Sequence, residues 1–294
     1  MNLSALLKKY DLHPKKGLGQ NFLTDPIHLQ KIVDAADLTS DDTVLEIGPG
    51  PGVLTERLCE AAGQVIAVEL DSQMVQLLRA EYGHHANLTV VEADILQLAI
   101  SDLQSGVRGQ EPGAGKNPLT IHHSPFTIHH YKVVANLPYY ITSAVLRHLL
   151  ESAPRPQRIV VTVQKEVAER IVAQPGQMSL LAVSVQFYGA PKLVQRIPAG
   201  AFYPPPKVDS AVVRIDTFAE PPLPPAETEQ FFRVVKAGFG QKRKQLKNTL
   251  SAGLHLPGEA VVGAMTAAGI EPSRRAQSLS IEEWLRLARA LRDN

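Results

Sequence analysis

The sequence predicts an α/β fold, in which a doubly wound mixed sheet is followed by a smaller α-helical carboxyl-terminal domain. Short apolar strands alternate with helical segments over residues 27–150, and a glycine-rich turn follows the strand at residues 43–47. Alternation of this kind favours right-handed crossovers and a parallel sheet. A proline-rich stretch at residues 220–225 then precedes sequence with helical periodicity, which indicates a second domain.

The individual elements follow in chain order. Helices are predicted at residues 27–36, 53–62, 72–81, 143–150, 165–173 and 180–187, and strands at residues 43–47, 65–68, 88–91, 132–135 and 158–163. Two later β-rich stretches, at residues 192–197 and 210–215, are expected to form an edge that makes the sheet mixed. Ser280 and Glu283 match a capping box that opens a final helix. These boundaries give an amino-terminal segment at residues 1–26, a sheet domain at residues 27–219 and a helical domain at residues 220–294.

The composition is that of a soluble globular protein, with 44% hydrophobic and 20% charged residues among 294. Cys59 is the only cysteine, which excludes an intrachain disulfide and favours a reducing compartment. The first nine residues have no long apolar core, and no apolar run approaches the ~18 residues that span a bilayer. We therefore expect a cytoplasmic protein with no membrane partner.

The net charge of +1 conceals an acid-free stretch at residues 230–258 that contains six basic residues. Four of them, clustered toward the centre of the stretch, are Lys242, Arg243, Lys244 and Lys247. A block of this kind predicts a surface that faces a polyanion, with a solvated helix face as the alternative.

Residues 101–131 break the alternation and are predicted to form a surface insertion. The stretch at residues 117–123 nearly repeats at residues 124–130, which brings four histidines close together in the sequence. A metal site is the alternative, but no cysteine or carboxylate cluster completes one. We therefore predict no metal.

The glycine-rich turn and two acidic residues predict a nucleoside-binding edge of the sheet. Gly48 and Gly50 follow the first strand, where missing side chains let a ligand approach the backbone. Glu69 ends the next strand, where it can accept ribose hydroxyls, and Asp94 follows the third strand, where it can accept from an adenine amine. The Gly-x-Gly-x-Gly spacing differs from that of dinucleotide folds and favours S-adenosylmethionine. Each signal alone is compatible with a structural role.

A tetrapeptide, Asn136 to Tyr139, ends the strand at residues 132–135 at the same predicted edge. The exocyclic amine of adenine is a poor nucleophile because its lone pair is delocalised into the ring. The Asn136 side-chain oxygen and the backbone carbonyl near Leu137 can accept its two hydrogens. Pro138 fixes the direction of that carbonyl, and Tyr139 can stack on the base. The pattern predicts methyl transfer to a planar amine, such as that of an unstacked adenine, while the alternative for Asn136 is capping of the next helix.

Six stretches resemble one protein family. They lie at residues 16–23, 46–52, 136–139, 163–170, 202–210 and 239–248. Together they resemble the KsgA/RsmA family of ribosomal RNA adenine dimethyltransferases, over the whole chain except the insertion. The resemblance implies a Rossmann-like class I methyltransferase fold. It also implies dimethylation, at N6, of two adjacent adenosines near the 3′ end of 16S ribosomal RNA in the small ribosomal subunit, with S-adenosylmethionine as the methyl donor.

The resemblance extends to individual residues. It implies cofactor contacts for Asn21, Leu23, Gly48, Glu69, Asp94 and Asn136. Asn21 and Leu23 have no independent signal, because a Gly-Gln-Asn stretch reads as a turn. The resemblance further implies that the amino-terminal segment closes over the cofactor and that the helical domain holds ribosomal RNA, in agreement with the basic stretch.

Three alternatives stay open. A related enzyme acts on large-subunit ribosomal RNA and gives antibiotic resistance, although the stretches at residues 202–210 and 239–248 favour the small subunit. A non-catalytic assembly factor would bind pre-ribosomes and keep the pocket as a relic. DNA adenine and protein glutamine methyltransferases can use a related tetrapeptide. For the leading hypothesis we expect a monomer that acts on a small-subunit particle.

Overall fold

The computed structural model describes residues 3–103 and 130–292. The predicted insertion, with three of its four histidines, therefore lies almost wholly outside the described residues. The chain divides into two compact units, one formed by Met1–Ala168 with Lys192–Thr217 and the other by Glu169–Pro191 with Phe218–Asn294. The second unit thus includes residues 169–191, whereas the sequence pattern predicts one boundary at residue 220.

The first unit is built on a mixed sheet. The strands in chain order are β1 (Phe22–Leu23), β2 (Thr43–Ile47), β3 (Gln64–Glu69), β4 (Leu88–Glu92), β5 (Tyr131–Asn136), β6 (Arg158–Gln164), β7 (Gly189–Ile197), β8 (Phe202–Tyr203) and β9 (Ser210–Thr217). The large sheet has the order β4-β3-β2-β5-β6-β9-β7, and β1 pairs with β8 separately. Strands β2 to β6 are parallel, and β9 runs antiparallel to β6. The predicted doubly wound mixed sheet is confirmed, with the late strands β9 and β7 at one edge.

Helices cover the sheet through two apolar clusters. The helices up to the unit boundary are α1 (Leu3–Lys9), α2 (Pro26–Ala36), α3 (Val53–Ala61), α4 (Ser72–Tyr82), α5 (Thr142–Glu151) and α6 (Lys165–Ile171). One cluster joins α2 and α3 to inward-facing strand residues such as Val44 and Val134, and the other joins α1 to α4 around Leu77. Burial of these side chains stabilises the packing of the helices on the sheet. Because β2 to β5 are parallel, their carboxyl ends meet at one edge.

The second unit is helical. Its helices are α7 (Leu180–Gln186), α8 (Pro225–Gly238), α9 (Leu246–Leu254), α10 (Gly258–Ala267) and α11 (Ile281–Arg292). Pro225 is the first residue of α8 and not part of the linker, because a proline is tolerated where the helix has no hydrogen-bond acceptor for its N–H. The predicted capping box is confirmed: Ser280 N donates to Glu283 Oε2 at 2.8 Å, and Glu283 N donates to Ser280 Oγ at 3.3 Å. Within the part of the chain that the structure describes, we find no helix with the length and apolar character that a bilayer crossing requires.

Candidate active site

A cleft lies at the carboxyl edge of β2, β3, β4 and β5 in the first unit. It encloses about 790 Å³, its open mouth included, which is within the range of small-molecule sites. Nine of the ten residues predicted for cofactor and base line it: Asn21, Gly48, Gly50, Glu69, Asp94, Asn136, Leu137, Pro138 and Tyr139. The exception is Leu23, whose side chain is buried in the apolar cluster of α2 and α3.

The glycine turn brings its backbone to the cleft. Gly48 and Gly50 have φ of +65° and +55°, in the left-handed region that favours glycine. A Cβ at Gly48 would meet no atom within 4 Å, so the backbone there borders open space. A Cβ at Gly50 would come within 2.7 Å of the Phe22 ring, which packs against the turn. Gly48 therefore leaves room for a ligand, and Gly50 leaves room for the ring.

The Glu69 carboxylate is held in place by backbone N–H groups. Its Oε2 accepts from Gly50 N at 3.0 Å, and its Oε1 accepts from Asp71 N at 2.9 Å. Burial raises the pKa of this carboxyl, and the two backbone hydrogen bonds oppose that shift. Each oxygen has taken one of the donors it can accept, so lone pairs remain for ligand hydroxyls.

Asp94 is oriented by the turn that follows β4. Its Oδ1 accepts from Leu96 N at 3.0 Å, and its Oδ2 accepts from the Gln97 side chain at 3.2 Å. The side chain is partly exposed and lines the cleft. Its fixed position is compatible with the predicted contact to an adenine amine.

Glu46 is a second acidic residue, buried behind the glycine turn. Its side chain is 1% exposed, and its Oε2 has no hydrogen-bond partner in the described part of the chain. Burial, reinforced by the charge of Glu69, raises its pKa from 4.5 to about 8. It lines a small cavity together with Leu23 and Asn136. Glu46 is therefore protonated and neutral at pH 7.

The amino-terminal segment is fastened beside the cleft by Asp71. Lys15 Nζ lies 2.8 Å from Asp71 Oδ1, and Gln20 Nε2 donates to Asp71 Oδ2 at 3.1 Å. Burial raises the pKa of Asp71, but the bonds from Lys15 and Gln20 outweigh it and hold the pKa below its ordinary value. Asp71 is also the N-cap of α4. One carboxylate thus links the segment to the end of β3.

The Asn136 amide is oriented by the same segment. Its Nδ2 donates to the carbonyl of Asn21 at 2.9 Å, and its Oδ1 has no donor among the described residues. Asn136 does not cap the following helix, because the N-cap of α5 is Ile141, which makes no side-chain capping bond. The capping alternative is therefore wrong, and the amide oxygen is left available to a ligand.

The backbone after Asn136 is a hydrogen-bonded turn. Leu137 N donates to Thr162 O at 3.2 Å, and Ile141 N donates to Pro138 O at 3.2 Å. The carbonyl of Leu137 has no donor among residues 3–103 and 130–292. Two acceptors, the Asn136 Oδ1 and the Leu137 carbonyl, are thus unoccupied on consecutive residues that line the cleft.

The basic residues lie in the second unit. Lys242, Arg243 and Lys244 are exposed in turns before α9, and Lys247 is half-buried in its first turn. None of the four has an ion-pair partner among the described residues, and the charges of the three exposed ones face solvent. The described residues also hold no group of three or more His, Cys, Asp or Glu side chains that could bind a metal ion.

Sequence reasoning missed Glu46, Asp71 and Ser210, whose hydroxyl lies 2.7 Å from that of Tyr139. Asp71 had one signal, since an aspartate before a predicted helix is a common N-cap. Glu46 and Ser210 belong to stretches that the resemblance covers, but their burial depends on packing that the sequence does not state.

Comparison with known proteins agrees with this geometry. Residues 12–293 match the family model described as ribosomal RNA adenine dimethylase. A ribosomal RNA small subunit methyltransferase A from Dehalococcoides mccartyi is 45% identical over 98% of this chain and 92% of its own length. The protein of that name from Moorella thermoacetica is 39% identical over 98% of this chain and 96% of its own length.

Two solved structures share the fold over most of their length. The 23S rRNA methyltransferase ErmE has a TM-score of 0.69 at 30% identity, covering 92% of this chain and all of its own. A dimethyladenosine transferase from Plasmodium falciparum has a TM-score of 0.68 at 26% identity, covering 90% of this chain and 95% of its own. The chain belongs to the ribosomal RNA adenine dimethylase family and is a methyltransferase of ribosomal RNA.

Proposed function

We propose that this chain transfers methyl groups from S-adenosylmethionine to N6 of two adjacent adenosines near the 3′ end of 16S ribosomal RNA. The small subunit is favoured over the large subunit because the small-subunit relatives are 45% and 39% identical, against 30% for the 23S enzyme. We further propose that it acts as a monomer on a small-subunit particle and contributes to the biogenesis of that subunit.

The cleft fits the methyl donor. Gly48 leaves open space over its backbone, Glu69 keeps lone pairs for ribose hydroxyls, and Asp94 is placed for the adenine amine. Asn21 covers the same cleft, fastened through Asn136. When bound, S-adenosylmethionine supplies an electrophilic methyl group on a sulfonium. The residues of the chain supply position and a fixed set of acceptors.

The observation that carries the proposal is the pair of unoccupied acceptors at Asn136 Oδ1 and the Leu137 carbonyl. An adenine amine has two hydrogens, and donation of both draws its lone pair out of conjugation with the ring. Tyr139, partly buried in the cleft wall, offers an aromatic face on which the base can stack. No strong general base is required, since the nitrogen becomes acidic once it is alkylated and its proton leaves to water.

The exposed basic turns of the second unit supply the RNA contact. Lys242, Arg243 and Lys244 in these turns, with the half-buried Lys247 at the start of α9, carry charge that can neutralise phosphates. This sequence-independent interaction holds RNA without selecting the base. Base selection is then left to the acceptors of the cleft.

The test is mass mapping of methylated nucleotides after incubation of the protein and methyl donor with unmethylated small subunits. We expect N6,N6-dimethyladenosine at two adjacent positions near the 3′ end of 16S ribosomal RNA. Asn136→Ala should lower the transfer rate by about 100-fold or more, because a preorganised acceptor is lost. RNA binding should be nearly unchanged in this variant.

The alternatives give different results in the same assay. Label confined to large-subunit RNA would favour the antibiotic-resistance activity and contradict the small-subunit proposal. Tight binding to pre-ribosomal particles with no label in either RNA would favour the non-catalytic assembly factor. Wild-type turnover in Asn136→Ala would refute the role given to that side chain.

A further inference from the structure

The hydroxyl of Tyr139 is hydrogen-bonded to Ser210, a residue outside the proposed cofactor and base contacts. Tyr139 Oη and Ser210 Oγ lie 2.7 Å apart, at hydrogen-bond distance. The Ser210 side chain is fully buried, whereas the Tyr139 ring is partly exposed and lines the cleft. A buried hydroxyl is costly unless it is paired, so this contact constrains both residues.

Ser210 is a rigid anchor. It is the first residue of β9, where it pairs with Gln164 of β6. The preceding residue, Asp209, is held twice: its carbonyl accepts from Lys165 N at 3.0 Å, and its Oδ1 accepts from Ala199 N at 3.1 Å. The backbone that carries the Ser210 hydroxyl is therefore fixed by the sheet on one side and by the approach to β8 on the other.

The Tyr139 ring is thus held at both ends. Its Cα lies in the turn that follows β5, and its hydroxyl is hydrogen-bonded to β9, so rotation about χ1 is restricted and the direction of the ring axis is fixed. Ser210 thereby connects the stretch at residues 202–210 to the proposed base site. We propose that Ser210 is a positioning residue that fixes the position and long axis of the Tyr139 ring in the cleft, and that this anchor matters most for the second methyl transfer to the same nitrogen.

The reason for that asymmetry is the number of hydrogens on the nitrogen. In each transfer the nitrogen lone pair forms the new C–N bond, the C–S bond breaks with its electron pair going to sulfur, and one proton leaves the nitrogen to water. The first transfer starts from an amine with two hydrogens, one for Asn136 Oδ1 and one for the Leu137 carbonyl. The second starts with a single hydrogen. Stacking on Tyr139 then supplies a larger share of the positioning.

The inference rests on the proposed adenine N6 dimethylation, and its test compares four variants with the wild type. Ser210→Ala and Tyr139→Phe each remove one partner of the bond, and the double variant removes both. Thr217→Val is the matched control, because Thr217 lies at the other end of β9 and its hydroxyl donates to the Pro156 carbonyl away from the cleft. Single-turnover rates of both transfers are measured together with the ratio of N6-methyl to N6,N6-dimethyladenosine.

We expect Ser210→Ala and Tyr139→Phe each to slow the second transfer about three- to tenfold, the usual effect of one hydrogen bond, and the first transfer less. Monomethyladenosine should accumulate in both variants. The double variant should be no slower than the slower single variant, since both act on one bond. Thr217→Val should keep the wild-type product ratio.

Three results would overturn the inference: a wild-type product ratio in Ser210→Ala, additive losses in the double variant, or a weaker affinity for S-adenosylhomocysteine that accounts for the whole effect. Absence of both N6-methyladenosine and N6,N6-dimethyladenosine from the wild-type reaction would instead refute the proposed function. The two failures are therefore distinguishable in one experiment.

Discussion

Glu46 makes the stability of the first unit depend on pH. The folded chain holds the Glu46 proton up to about pH 8, whereas the unfolded chain ionises the same carboxyl at 4.5. Between these values the unfolded state binds fewer protons than the folded state, so the free energy of unfolding falls as the pH rises. The full loss across this window is on the order of 5 kcal/mol.

Glu46→Gln removes this titration and keeps the shape of the side chain. At pH 5 the variant and the wild type should have similar stability, because the wild-type carboxyl is then protonated in the folded state. At pH 9 the variant should be more stable than the wild type by about 3 kcal/mol or more, since no buried charge has to form.

The assay is urea unfolding at pH 5, 7 and 9, followed by a probe of the first unit. Glu60→Gln is the matched control, because Glu60 is an exposed carboxylate on α3. The control should unfold with the wild-type pH dependence. Parallel stability curves for Glu46→Gln and the wild type would refute the reasoning, as would a variant that is less stable than the wild type at pH 9.

Further predictions concern the segment, the turn and the RNA surface. Asp71→Asn should weaken binding of S-adenosylhomocysteine about fivefold in calorimetry, because an ion pair with a half-exposed lysine contributes about 1 kcal/mol at most. Unchanged affinity would contradict the role of Asp71 in holding the amino-terminal segment beside the cleft. Gly50→Ala should lower the free energy of unfolding by about 3 kcal/mol and Gly48→Ala by about 1 kcal/mol. Both glycines have positive φ, but only a Cβ at Gly50 meets an aromatic ring. Equal losses for the two variants in urea unfolding would contradict this explanation. Replacement of Lys242, Arg243 and Lys244 together by alanine should weaken RNA binding. The slope of log affinity against log salt concentration should become flatter by about two, because fewer counterions are released. An unchanged slope would mean that these residues form only a solvated surface.

Local sequence patterns were sufficient to predict the strands and the glycine turn that form the cleft. The apolar strands and the glycines at 48 and 50 fix where the cleft lies, because strand period and positive φ leave local signatures. The contacts that orient the side chains of the cleft have no such local signature in the sequence. Lys15 meets Asp71 across 56 residues, and Tyr139 meets Ser210 across 71, so both depend on the packing of the whole sheet. The raised pKa of Glu46 likewise follows from burial of its carboxyl in the folded chain, which a sequence motif does not encode.

The geometry of the cleft is compatible with methyl transfer to either small-subunit or large-subunit ribosomal RNA. In the proposed function the cleft accepts one adenine, and the acceptors at Asn136 and Leu137 recognise that base alone. Discrimination between the two ribosomal RNAs must therefore come from surfaces outside the cleft. This agrees with the similarity of the fold to a 23S enzyme at 30% identity.

The bond from Asn136 Nδ2 to the Asn21 carbonyl has a thermodynamic consequence. One planar amide presents its nitrogen to the amino-terminal segment and its oxygen to the cleft, so a flip of the amide loses both interactions together. In the proposed function, order in the segment and acceptance of the base amine therefore depend on the same orientation of the Asn136 amide. Linkage requires reciprocity: whatever factor a docked base adds to the affinity for the methyl donor, the methyl donor adds to the affinity for the base.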